Sequence, residues 1–328
     1  MFSNILLALL PSFLQVPVRR VLGQKIGKNS RIRWGSIVIS KSVQLGESVT
    51  IGPFCYIKAT QLTIGDHSVV KPLSFISTRI VGLGKYVHIA PLSMISSEFT
   101  ENSRLEVGDH SRIFPYCWLD TGEGISIGSN VGIGGHSLIF THGVWTDYIQ
   151  GGPISYGPVV IKDNVWLPWR VFIMPNVEIG ENTIVGANAL VNRSFPGNTL
   201  LGGTPAKILK ENILPPPADT DKMKRVLEIL ENYSKYLDFK YHVKSNLEND
   251  CLSIGKIKIA VDRTSLDKGD LLLLLNKEIS SEERSTLINN GISVLDYKNK
   301  KIKLLTKDAV LTDFVSYLRR YGIRLYID

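Results

Sequence analysis

Cysteine is scarce: Cys55, Cys117 and Cys251 are the only three in 328 residues. An odd count, with no two at metal-ligand spacing, makes neither a disulfide framework nor a cysteine-held zinc site. A reducing cytosol is the simplest home for such a chain. Long apolar runs are also missing. The stretch from Met1 to Leu10 is halted by Pro11 and is too short to span a bilayer. It lacks the preceding basic residues and the small-residue cleavage site of a signal peptide. Acids are absent from the start: none precedes Glu47, whereas Arg19, Arg20, Lys25, Lys28, Arg31, Arg33 and Lys41 do. No glycine-rich phosphate loop of the nucleotide-hydrolase type occurs. No basic stripe interleaved with aromatics recurs downstream, which argues against a nucleic-acid partner.

What is present at the amino end is an apolar segment followed by basic residues. That order suits a helix lying on an anionic membrane surface through residues 1–33, on the inner, cytoplasmic face. The alternative is that Ile5, Leu6, Leu9, Leu10, Phe13 and Leu14 pack on the rest of the protein. Hydrophobic residues make 44% and charged residues 21% of the chain, an ordinary globular balance, and the length allows two domains.

An internal period of six dominates the next two hundred residues. Aliphatic side chains recur at Ile161, Leu167, Ile173, Ile179, Val185 and Val191 without a slip. The same step links Leu45, Ile51 and Ile57, then Ile64, Val70 and Ile76, then Leu83, Ile89 and Ile95. It continues through Val107, Ile113 and Leu119, and through Ile127, Ile133 and Ile139, after a weaker opening set of Ile26, Ile32 and Val38. Neither a helical period of 3.6 nor a strand period of 2 holds one register so long. A short flat run, a corner and another run of equal length does. Three such runs close a triangular coil, and stacked coils form a solenoid. Asn29, His67, His110, Asn130, Asn164, Asn176, Asn182 and Asn188 fall where tight corners need left-handed backbone, which Asn tolerates best.

This pattern resembles the left-handed parallel β-helix of hexapeptide-repeat acyltransferases over roughly residues 26–210. The left hand is carried by the resemblance. The expected organisation is mainly β: a short helical segment (1–25), the β-helix (26–210), a linker (211–220) and a small α/β domain (221–328). In that last part the expected helices are Asp221–Leu237, Ser281–Asn289 and Asp308–Tyr321. The expected strands are Leu271–Leu275, Ile292–Tyr297, Lys301–Thr306 and Arg324–Ile327. It carries no recognisable motif of chemistry.

Function is expected where the repeat breaks. One break is Ser97–Arg104; the larger is Thr141–Pro158, whose Trp145, Asp147 and Tyr148 suit a sugar-binding rim. His142 opens that loop. A sugar hydroxyl is a poor nucleophile until a base takes its proton, and neutral imidazole suits that task. His136 occupies a corner slot one six-residue step earlier and is the alternative base. Asp120 lies one coil before His142 and resembles the family's acidic residue that binds acceptor hydroxyls; an acid there could instead orient the imidazole or only cap a turn.

Thr141-His142-Gly143 looks like the base-bearing element of galactoside- and maltose-type sugar O-acetyltransferases. The segment Ile133–Trp145 is closer still to exopolysaccharide (colanic-acid-type) O-acetyltransferases. The resemblance implies acetyl-CoA as donor, a carbohydrate acceptor, a homotrimer and His142 as general base, with no metal. It also implies a donor groove involving Trp166, Trp169 and Arg170, closed by Gly202-Gly203-Thr204-Pro205-Ala206-Lys207. Glycine there permits close backbone approach, and Lys207 with Lys210 meets CoA phosphates as point charges.

Three other readings are open. N-acetylation of an amino sugar or nucleotide sugar is the nearest chemistry. A γ-carbonic-anhydrase-like zinc site is invited by His110, His136 and His142, although their spacing differs from that family's. A non-catalytic scaffold would bind no CoA.

Overall fold

The computed structural model describes residues 6–144, 146–262, 266–277, 279–306 and 308–327. The chain divides into two compact units, Met1–Pro215 and Pro216–Asp328.

The first unit is a parallel β-helix, and its three ladders are the sixfold positions themselves. One ladder aligns Ile26, Leu45, Ile64, Leu83, Val107, Ile127, Ile161 and Ile179 in register. A second aligns Ile32, Ile51, Val70, Ile89, Ile113, Ile133 and Leu167. The third runs from Val38 through Ile57, Ile76, Ile95, Leu119, Ile139 and Ile173 to Val191. All these side chains are buried in one continuous core. Each contributes about 1.5–3 kcal/mol by leaving water. Truncating one from the middle of a ladder, as in Ile113→Ala, costs about 2–5 kcal/mol because its neighbours cannot collapse into the gap.

Corners between the ladders define three edges. The first edge carries Asn29, Ser48, His67, Tyr86, His110, Asn130, Asn164 and Asn182, all at positive φ. The second carries Phe54, Leu73, Leu92, Tyr116, His136, Arg170 and Asn188, also at positive φ. Left-handed backbone costs a bulky L-residue roughly 1–2 kcal/mol. The coil therefore imposes the conformation even where no Asn is supplied. The first edge offsets part of this with side-chain ladders: Asn130 Nδ2 donates to Asn164 Oδ1 (2.6 Å), and Asn164 Nδ2 to Asn182 Oδ1 (3.1 Å). His67 and His110 stack on either face of Tyr86, in structural positions. Both interruptions of the repeat fall on the third edge, between Met94–Ser96 and Arg104–Val107 and between Leu138–Ile139 and Val159–Ile161.

The amino-terminal segment caps the first coil. After Pro11 a helix runs over Ser12–Val21 and continues through Pro17. Ser12 Oγ accepts from the backbone N–H of Ile32, and the carbonyl of Ala8 from Gly35. Of the two readings of this segment, inward packing of Leu6, Leu9, Phe13 and Leu14 does not hold: they are 65%, 60%, 73% and 46% exposed. The polar side of the helix, Gln15 and Arg19, turns inward instead. Ile5 lies outside the described residues.

The second unit is a seven-stranded mixed sheet with helices on both faces. Its first helix spans Asp219–Tyr241, longer at both ends than expected. Three strands, Asn246–Glu248, Cys251–Ile254 and Ile257–Val261, form where the sequence reading placed none. They are short, and the first holds only one apolar residue, so alternation could not mark it. Other bounds shrink: Lys301–Lys303 is strand, Ala309–Leu318 helix with a 3-10 turn at Arg319–Tyr321, and Tyr326–Ile327 the last strand.

Candidate active site

On the third edge, His142 and Asp120 meet. Nδ1 of His142 lies 3.0 Å from Oδ1 of Asp120. The same carboxylate oxygen also takes the Thr141 hydroxyl (2.9 Å) and the backbone N–H of Gly122 (3.2 Å). Asp120 ends a strand register-paired with the coil that leads to His142, so the ladder brings the two together across 22 residues. Its side chain is 11% exposed and that of His142 47%, which sets a nearly buried acceptor behind a ring that reaches solvent. An acceptor fixed on Nδ1 holds the proton there and leaves Nε2 as the basic nitrogen.

The loop begins as a short antiparallel ladder, with His142 opposite Tyr156 and Gly143 opposite Ser155. The Tyr156 ring stacks beside the imidazole at 6.3 Å. Tyr156 was not singled out by the sequence, because only pairing across the loop places it here. Tyr148 is exposed, and Oδ1 of Asp147 accepts from the backbone N–H of Ile149 within its own turn. Trp145 lies outside the described residues. The smaller interruption supports the same edge: Thr100 Oγ1 donates to the carbonyl of Gly122 (2.7 Å), and Asn102 Nδ2 to Glu123 Oε2 (2.8 Å).

Of the residues expected to hold the donor, Trp169, Arg170 and Thr204 stand at the second edge, and Trp166 and Lys210 lie on strands of the adjoining ladder. Trp169 packs on Gly135, where a Cβ would stand 2.1 Å from its ring, and Trp166 packs on Gly132, where a Cβ would stand 2.5 Å away. His136 is held between the rings of Tyr116 (4.9 Å) and Trp169 (5.8 Å). Arg170 turns the corner at φ 60° and hydrogen-bonds through its backbone to Gly135. Above it the N–H of Asn188 donates to the carbonyl of Trp169, and Thr204 Oγ1 donates to the carbonyl of Asn188. Gly202 and Gly203 pair with Lys207 and Ala206 in the closing hairpin, which leaves Lys207 and Lys210 exposed.

Within one chain the strand Leu138–Ile139 separates His136 from His142, so the two do not share a groove. His110, His136 and His142 stand on three different edges. Among the described residues no group of three or more His, Cys, Asp or Glu is arranged to hold a metal. Burial pushes the Cys55 and Cys117 thiols up to about 11, which leaves neither as a thiolate nucleophile.

Residues 158–193 match the sequence model of the bacterial transferase hexapeptide repeat (six repeats). The chain is similar to the putative colanic acid biosynthesis acetyltransferase WcaF of Escherichia coli, 31% identical over 115 residues, 34% of this chain and 60% of that one. It is also similar to the galactoside O-acetyltransferase of the same organism, 28% identical over 127 residues, 32% of this chain and 63% of that one. It thus spans less than two-thirds of the length of either. Among solved structures, a hexapeptide-repeat acetyltransferase from Vibrio cholerae O1 biovar eltor, complexed with acetyl coenzyme A, is 32% identical. The match covers 45% of this chain and 69% of that one, with a TM-score of 0.34. The sixfold ladders through the core extend the spacing of the matched hexapeptide repeat over the rest of the β-helix.

Proposed function

We propose that the chain transfers an acetyl group from acetyl-CoA to a sugar hydroxyl, in the building of a cell-surface polysaccharide or glycoconjugate. The observation that carries this reading is the Asp120 carboxylate on Nδ1 of a half-exposed His142. Nε2 of His142 takes the hydroxyl proton as the acceptor oxygen bonds to the thioester carbonyl carbon. The tetrahedral adduct then collapses, the carbon–sulfur bond breaks, and the imidazolium returns the proton to the departing thiolate. An acetate ester and free CoA result. Asp120 orients the ring throughout and stabilises the transient imidazolium. A positioned base of this kind contributes about 10²–10⁴ in rate.

The second edge fits the donor: Trp169 and Trp166 make an aromatic wall on glycine, and Lys207 and Lys210 supply cations for phosphates. That edge and the base stand on different corners of one chain, so a complete site requires the second edge of a neighbouring copy against the third edge of its partner. A closed threefold ring meets this requirement with one repeated contact. Exposed Phe54, Leu73, Leu92 and Tyr116 run down the same second edge and supply apolar surface for it. Steady-state assay of His142→Ala with acetyl-CoA and a panel of sugars tests the reading. Loss of transfer with donor binding retained supports it; unchanged transfer to every accepted sugar removes His142 from the mechanism.

A further inference from the structure

The helix Ser12–Val21 is built inside out. Its ten residues bury Gln15, Val16 and Arg19, while Phe13 (73% exposed), Leu14, Val18 and Val21 (88% exposed) face outward. Leu6, Leu9 and Leu22 extend the same apolar exposure to either side. A helix facing only water has the opposite arrangement.

The inverted face is fixed. Gln15 Nε2 donates to the carbonyl of Leu7, and Arg19 donates to Gln24 Oε1 (3.2 Å) and to the carbonyl of Val38 (3.3 Å). With Ser12 and Ala8 also bonded to the first coil, the polar side is committed inward and the apolar side has no other place to go. Beside it stand exposed cations. Lys25, Lys28, Arg31 and Arg33 project from the terminal coil, and Arg20 is held at its rim by the carbonyls of Ile26 and Gly27. No acid occurs before Glu47 to balance them.

We infer that this face docks on the surface of an anionic lipid bilayer. The apolar side chains enter the interface between headgroups and acyl chains, and the cations meet the lipid phosphates. Charge decides the occupant: a second copy of the same face would set two uncompensated cationic clusters against each other, whereas an anionic surface complements both features. Among the described residues no helix is long and apolar enough to cross a membrane, so the contact is with the surface. The inference is independent of the acetyl-transfer reading.

The test is sedimentation of the full-length protein with vesicles of phosphatidylcholine, alone or mixed with phosphatidylglycerol. The protein is expected to partition at least about tenfold better onto the anionic vesicles and to be released as salt screens the charges. Phe13→Ser with Val21→Ser lowers partition by at least about tenfold, since both side chains are replaced at exposed positions. Lys25→Ala with Lys28→Ala lowers it on anionic vesicles alone. An unchanged thermal melt shows that each variant folds. Equal partition onto both vesicle types, or none onto either, overturns the inference. So does a serine variant that changes the oligomeric state in sedimentation velocity but not the vesicle binding, which assigns the face to a second copy.

Discussion

His136 and His142 are six residues apart and occupy successive corners of the same coil, yet their surroundings differ in kind. On the third edge His142 has a nearly buried carboxylate on Nδ1 and a ring open to solvent. On the second edge His136 is flanked by Tyr116 and Trp169, an aromatic setting suited to shaping a groove. An identical imidazole becomes a base candidate or a wall according to which face of the prism its corner joins. The neighbour in the stacked coil, not the neighbour in sequence, makes the difference.

The largest expected effect separates these two. His142→Ala lowers kcat by about 10²–10⁴, while His136→Ala leaves kcat within a few fold and raises KM for acetyl-CoA. Equal loss of kcat in both would erase the distinction. Asp120→Asn preserves the shape but removes the charged acceptor, and is expected to lower kcat by roughly 10–10³ with KM little changed. If Asp120 instead binds acceptor hydroxyls, KM for the sugar rises in its place. Gly135→Ala attacks the other edge. Its Cβ cannot sit 2.1 Å from the Trp169 ring, so the indole must move at a cost of about 1–3 kcal/mol. Calorimetry is expected to show weaker CoA binding, and single-turnover measurement at saturating donor an intact chemical step.

The smallest effect concerns a third histidine. Burial and the nearby Arg112 guanidinium lower the His88 pKa to about 4, so this ring stays neutral where an unfolded chain would titrate near 6.5. The unfolded state binds more protons between those values. The contribution of His88 to stability is therefore complete above about 6.5 and is lost as pH falls toward 4. Thermal melts across that window are expected to lose part of their acid sensitivity in His88→Gln, and an NMR titration places the midpoint directly.

The ladders were legible because each aliphatic residue recurs at a fixed step and has a single inward direction. His142 was legible because it opens the larger break in that step. The same reasoning could not see Tyr156, which reaches the imidazole only through pairing across the loop, nor the partition of the histidines among edges. It also left two readings open at the amino end, with Phe13 and Leu14 turned toward a membrane surface or packed on the protein. Arg19 donates to the Val38 carbonyl of the first coil and Gln15 to the Leu7 carbonyl of the preceding segment, and these hydrogen bonds hold the polar side of the helix inward.

By itself the sequence determined the period, hence the coil, its core and the position of the interrupted edge, since these depend on spacing along the chain. The tertiary structure alone decided that Asp120 faces Nδ1 of His142, that Trp169 lies on Gly135, and that His142 and Trp169 stand on separate edges. Those contacts join residues of stacked coils, and distances between coils are set by backbone ladders that no local pattern encodes.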